Sequence, residues 1–226
     1  IQLNPFMLRQ IITNGLPAGI QNSVISIANV FIQSNINSFG KIAMAGCGAY
    51  SKVEGFAALP VTCFSMALTT FISQNLGAGK YDRIRKGARF GVLCGMTLTE
   101  LIGLVLYVTM PVLISFFNND PEVIAYGTKQ AHIVTPFYFL MAYSHCTAGI
   151  MRGAGKSSVP MFVMLLCWCL LRVPYVSLAV HLNPIIDVVF WAYPITWTLS
   201  GILFFIYYHR ADWMHGLERQ KERHYR

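Results

Sequence analysis

Residues 159–180 read VPMFVMLLCWCLLRVPYVSLAV, a run whose single charge is Arg172. About 20 mostly apolar residues in α-helical form cross the hydrocarbon core of a bilayer. Five other stretches meet the same test, at about 16–36, 53–76, 90–117, 131–151 and 185–208. None shows the apolar/polar alternation of a barrel strand. The spacing predicts an all-α integral membrane protein with six transmembrane helices in residues 1–209. Composition agrees. Of 226 residues, 55% are hydrophobic and 12% charged, against about 25% charged in an ordinary soluble domain. That balance excludes a disordered chain and disfavours a soluble enzyme.

The net charge of +8 would suggest a nucleic-acid partner in a soluble protein. Here the basic residues sit between apolar runs, so no nucleic acid is expected and the partner is membrane lipid. Lys80, Arg83, Arg85, Lys86 and Arg89 follow the second span, and Arg152 and Lys156 follow the fourth. Arg9 precedes the first, and residues 210–226 carry Arg210, Arg219, Lys221, Arg223 and Arg226. The opposite ends hold Asn118, Asn119, Asp120, Glu122, His181 and Asn183. By the positive-inside rule both termini are cytoplasmic, 210–226 is a charged cytoplasmic tail, and the location is the cell (inner) membrane. No signal peptide is read at Ile1, and the chain is expected to be a piece of a longer protein. Gly77 and Gly79 stop the second helix, and Pro121 and Pro184 start helical segments. Gly77-Ala78-Gly79-Lys80 recurs 76 residues later as Gly153-Ala154-Gly155-Lys156.

The first span carries Asn22, Ser26, Asn29, Gln33 and Asn37 at helical spacing, with Gln21 beside them. That spacing puts the five on one helix face. Unpaired amides facing hydrocarbon cost several kcal/mol each, so the stripe faces protein or water. It is either helix–helix glue or the wall of an aqueous substrate cavity. In the fourth span His132, Thr135, Phe139 and Tyr143 follow helical spacing, and aromatic rings beside polar groups suit a cationic or amphipathic ligand. Ionisable residues within spans are functional candidates by default. Glu54, read at the outer end of the second span, and Glu100, inside the third, are possible ion-coupling carboxylates; the alternative readings are headgroup water for Glu54 and a hydrogen bond to a neighbouring helix for Glu100. Asp187 reaches the outer interface, and Arg172 snorkels or pairs with Asp187. Gly87, Gly91, Gly95, Gly149 and Gly153 form small-residue ridges for close helix packing. The six cysteines read as buried thiols without metal spacing, and no catalytic constellation is found, so an enzyme is not expected.

Ser73-Gln74-Asn75-Leu76-Gly77-Ala78-Gly79-Lys80 with the following Arg83–Arg89 resembles the hallmark after the second helix of a lobe in the multidrug and toxic compound extrusion (MATE) family. Gly15-Leu16-Pro17 resembles that family's first-helix start, and Gly149-Ile150-Met151-Arg152-Gly153 its fourth-helix end. The resemblance covers nearly the whole chain. It implies one six-helix lobe, by its flanks the C-terminal one, of a twelve-helix transporter with pseudo-two-fold symmetry. The N-terminal lobe is then a missing partner. It also implies export of small cationic or amphipathic compounds in exchange for Na⁺ or H⁺, with no tightly bound cofactor. Family members with carboxylates in the first and fourth helices of this lobe are not matched here. Coupling therefore rests on the other lobe, or on Glu54 or Glu100. The alternatives are a lipid-linked oligosaccharide flippase of related architecture, a membrane-embedded enzyme, and a non-transporting assembly subunit.

Overall fold

Inside a bilayer a backbone N–H or C=O finds no water, so each crossing has to close its own hydrogen bonds. The computed structural model, which describes residues 5–214, shows six helical crossings. The first three are unbroken: α1 (Pro5–Asn37), α2 (Lys41–Gly77) and α3 (Tyr81–Ser115). The fourth runs through α4 (Pro121–Val134), a 3₁₀ turn at Thr135–Phe137 and α5 (Tyr138–Gly153). The fifth comprises α6 (Ser158–Met164), a π-helical stretch at Leu165–Leu171 and α7 (Arg172–Leu182). The sixth is α8 (Asp187–Arg210). Five of the crossings are long and apolar enough to span a membrane as they stand, and the fourth is interrupted only by its turn.

Most helices outrun the apolar windows that locate them. α2 begins at Lys41 rather than near 53, and α3 at Tyr81 rather than near 90. Hydropathy marks where the hydrocarbon ends, while the hydrogen-bond ladder continues into the interface. Pro17 lies inside α1, not at its start. Pro121 takes the first turn of α4, where Asp120 accepts the Glu122 N–H at 2.9 Å. Pro184 does not open the sixth helix, which starts three residues later at Asp187.

The repeated Gly-Ala-Gly-Lys runs build the same turn twice. Lys80 N–H donates to Asn75 O and Gly79 N–H to Leu76 O; Lys156 N–H donates to Met151 O and Gly155 N–H to Arg152 O. This is the Schellman pattern, whose exit residue adopts a left-handed conformation. Gly79 and Gly155 have φ of 67° and 72°.

Helices in lipid gain nothing from hiding apolar surface from one another, so close packing has to hold them. A methyl on Gly153 would lie 2.5 Å from the Thr69 carbonyl oxygen, and one on Gly95 would lie 2.9 Å from the Cys146 sulfur. Ser65 and Thr69 of α2 donate to the carbonyls of His145 and Gly149 on α5, at 2.8 and 3.0 Å. The glycine ridges therefore pack α2, α3 and α5 backbone to backbone. Four of the six cysteines are buried, Cys63 is exposed and Cys94 is half-buried, all as free thiols.

At one end of the bundle, Leu76, Ile84, Ala154 and Trp213 share a buried cluster. The basic residues after the second and fourth crossings, with Arg210 at the end of the sixth, consequently gather there. Trp213 is buried and donates to the Tyr208 carbonyl at 3.2 Å, so the start of the 210–226 segment packs on the lobe. Its residues from 215 onward lie outside the described ones. The outer surface is apolar, with Phe56, Phe90, Val108 and Phe116 prominently exposed.

Candidate functional site

α1 is divided lengthwise. Its buried face carries Gln21, Ala28, Ile32 and Ile36, and the helix packs mainly along the fifth crossing. One residue further on, and so about 100° round the axis, come Asn22, Ser26, Asn29, Gln33 and Asn37. All are exposed except the half-buried Gln33. Leu16, Ile20, Ile27 and Phe31 form an exposed apolar stripe on the other flank.

The polar stripe makes no hydrogen bond to another helix of this lobe among the described contacts. Ser26 Oγ donates to the Asn22 carbonyl at 2.9 Å, and Gln33 Nε2 to Asn37 Oδ1 at 3.0 Å. Gln21 does not join the stripe. It is 3% exposed, its Nε2 contacts Met164 Sδ at 2.7 Å, and its Oε1 has no partner. Tyr143 and Ile25 of α1 both pack on the cluster of Ala148, Met164 and Phe204.

The fourth crossing does not present His132, Thr135, Phe139 and Tyr143 on one face. The 3₁₀ turn breaks the phase, leaving His132 exposed, Thr135 buried, and Phe139 and Tyr143 half-buried. His132 stacks on Tyr107 at 4.2 Å and meets its carbonyl at 3.0 Å. Phe139 is the second residue of α5, and its backbone N–H donates to Glu100 Oε2 at 2.9 Å. Glu100 thus holds one of the N–H groups that a helix start leaves without an intrahelical acceptor.

Glu54 is not at the outer end of its helix. It lies thirteen residues inside α2, about 20 Å along at 1.5 Å per residue. There it is half-buried and accepts from the Tyr50 hydroxyl at 3.1 Å and the Tyr138 hydroxyl at 3.5 Å, and the two phenols are 3.0 Å apart. Tyr138 packs edge-on to Trp197, Trp197 contacts Tyr193 and Trp168, and Arg172 lies over both Trp168 and Tyr193.

Arg172 neither snorkels nor pairs with Asp187. It is 2% exposed and donates to the Thr196 hydroxyl, while Asp187 pairs with Lys129 at 2.6 Å. Trp168 donates to Ser200 at 3.3 Å, and Ser200 meets Ser144 at 2.9 Å. The lobe interior thus holds a polar-aromatic network linking α2, α5, the π stretch, α7 and α8.

Tyr50, Tyr193 and Thr196 were not legible as site residues. Tyr50 and Glu54 stand one helical turn apart, a spacing that counts only once the helix is known to begin at Lys41. The π stretch leaves no signature in hydropathy. It spans Cys167, Trp168 and Cys169, all three buried.

A family model described as MatE matches residues 17–178. The chain belongs to the MatE family. Among its relatives is the "Probable multidrug resistance protein YoeA" of Bacillus subtilis (strain 168), 22% identical over 92% of this chain and 45% of the relative. The "Probable multidrug resistance protein YpnP" of the same organism is 29% identical over 73% of this chain and 37% of the relative. A crystal structure of the Vibrio cholerae MATE transporter VcmN superposes with a TM-score of 0.84 at 22% identity. It covers 94% of this chain and 50% of that one. The chain spans about half the length of the curated relatives it matches. A MatE membership, six apolar crossings and a lipid-like outer surface make this a multi-pass membrane protein of a transporter family.

Proposed function

We propose that this chain is half of a secondary active exporter, the C-terminal six-helix lobe, working against a second six-helix lobe across a shared aqueous cavity. The observation that carries this reading is the stripe Asn22–Ser26–Asn29–Gln33–Asn37. It is exposed on the lobe, spent on no helix partner, and set on the flank of α1 opposite the apolar stripe. Amides left against lipid are costly, so that flank fits water and the apolar flank fits hydrocarbon.

The cargo proposed is a small cationic or amphipathic compound. The stripe is rich in carbonyl acceptors and carries no charge, which suits a cation without fixing its shape. Tyr143 adds an aromatic ring on the cluster that Ile25 of α1 also packs against. The names of YoeA and YpnP favour drug-like cargo. A flippase for a lipid-linked pyrophosphate needs accessible basic groups, and the interior arginine of this lobe, Arg172, is enclosed.

Export runs in exchange for Na⁺ or H⁺ by alternating access, in the cell (inner) membrane with both ends of this segment cytoplasmic. Glu54, an acid in a network of phenols, is the candidate for the coupling ion within this lobe. Glu100 is already committed to the Phe139 backbone.

The test is substrate protection. Cysteines placed at Asn29 and Gln33 in the complete transporter should react with a charged methanethiosulfonate reagent, and a transported cation such as ethidium should slow the reaction. Reaction unchanged by substrate, or none at all, refutes the cavity wall.

A further inference from the structure

Arg172 is a guanidinium enclosed within a membrane lobe, and among the described residues no carboxylate forms an ion pair with it. Its Nε and Nη2 both donate to Thr196 Oγ1, Nε at 2.9 Å, and the Thr196 hydroxyl donates on to the Ala192 carbonyl at 2.8 Å. Trp168 and Tyr193 cover it at 5.0 and 4.7 Å. An ion pair, Lys129–Asp187, forms elsewhere, between α4 and the start of α8. Glu54 and Arg172 belong to one network: the Tyr138 phenol meets Glu54, Tyr138 packs edge-on to Trp197, and Trp197 packs against Tyr193, whose ring Arg172 covers. Tyr50 from its own helix, Tyr138 from α5, Arg172 from α7 and Tyr193 from α8 are the titratable groups acting on or beside Glu54.

We propose that Arg172 is a tethered competitor for the cation site at Glu54. Thr196 and two aromatic faces hold its positive charge in place, so an incoming ion meets a carboxylate already compensated from within. The inference rests on Glu54 being the lobe's ion-binding acid. A cation that joins Glu54 adds a second positive charge in a low-dielectric interior from which the first cannot leave. Binding is weakened and release is easy, as an exporter that discharges its coupling ion every cycle requires. The same geometry makes Arg172 a positioning residue and not a ligand for cargo, because it is closed to solvent.

The experiment measures Tm of the complete, purified transporter against Na⁺ at constant ionic strength (choline replacing sodium) and against pH, since a bound ion stabilises the folded state by mass action. In Arg172→Met the concentration of the responding ion at half-maximal stabilisation should fall on the order of tenfold or more. Arg172→Lys, which keeps the charge, should retain the wild-type midpoint, and Glu54→Gln should abolish the response. A response absent from wild type but present in Arg172→Met, and removed by Glu54→Gln, also supports competition. An unchanged or raised midpoint in Arg172→Met, with the response still lost in Glu54→Gln, overturns the competitor and leaves the site. A response that survives Glu54→Gln, or one absent from every variant, overturns both. If Arg172→Met fails to fold, Arg172→Gln replaces it. If both fail, recovery of folded protein on adding Glu54→Gln supports the paired charge, and no recovery overturns it.

Discussion

Glu100 Oε2 accepts the backbone N–H of Phe139 at 2.9 Å, so an acid in the third crossing caps the restarted helix of the fourth. The contact falls at the 3₁₀ turn beside Pro136, where helix α5 begins again. On the same face of α3, Gly103 lets the turn come close: a methyl there would lie 2.8 Å from the Thr135 carbonyl oxygen. A residue that reads as an ion-coupling candidate is thereby tied to a structural task.

Glu100→Gln should therefore keep most export, because the amide oxygen still accepts the Phe139 N–H. Glu100→Leu should cost about 1–3 kcal/mol, the usual penalty for stranding a buried donor. Drug-resistance assays and thermal unfolding of the two variants check this. An inactive but well-folded Glu100→Gln protein would return the residue to ion coupling.

The polar flank of α1 makes the opposite prediction. Asn29→Leu and Gln33→Leu should lower export with folded yield and Tm little changed, since neither side chain hydrogen-bonds another helix of the lobe. Wild-type drug resistance in both variants would leave the stripe without a transport role.

Gly153 tests the close packing of α2 on α5. Gly153→Ala pushes a methyl against the Thr69 carbonyl, which is backbone and cannot swing aside. The expected loss is about 1–3 kcal/mol, typical of overpacking, read as a lower Tm. A variant as stable as wild type would show that the two helices separate freely.

Orientation is tested by accessibility in a cysteine-less background. Arg83→Cys and Ser158→Cys, both at exposed positions, should label only from the cytoplasm, and Asn119→Cys only from outside. Ile84, between two exposed arginines, is fully buried and unsuited to the purpose. Labelling of residue 83 from outside inverts the assignment.

How much was legible follows from what hydropathy records. It places six crossings because the hydrocarbon demands apolar length, and the spacing of Asn22 to Asn37 survives folding because α1 is regular through that region. It misplaces Glu54, because α2 begins twelve residues before its apolar window. It misses the broken phase of the fourth crossing, although Pro136 stands in that window as a visible warning. The enclosure of Arg172 has no counterpart in sequence, because it depends on a π-helical register and on Thr196 from a different helix.

The paired contacts of α2 with α5 also say where the lobe can yield. Where Ser65 and Thr69 meet the backbone at His145 and Gly149, no flexible side chain lies between the two helices. That block is stiff. α1 is continuous but carries Pro17 within it, and its buried Gln21 meets the pliant sulfur of Met164. The first crossing, the same one that carries the amide flank, is the least enclosed of the five long apolar helices. Backbone amides of α1 should exchange hydrogen ahead of those in the central turns of α2 and α5. A lobe built this way should keep α2 and α5 together while α1 is the first crossing to shift.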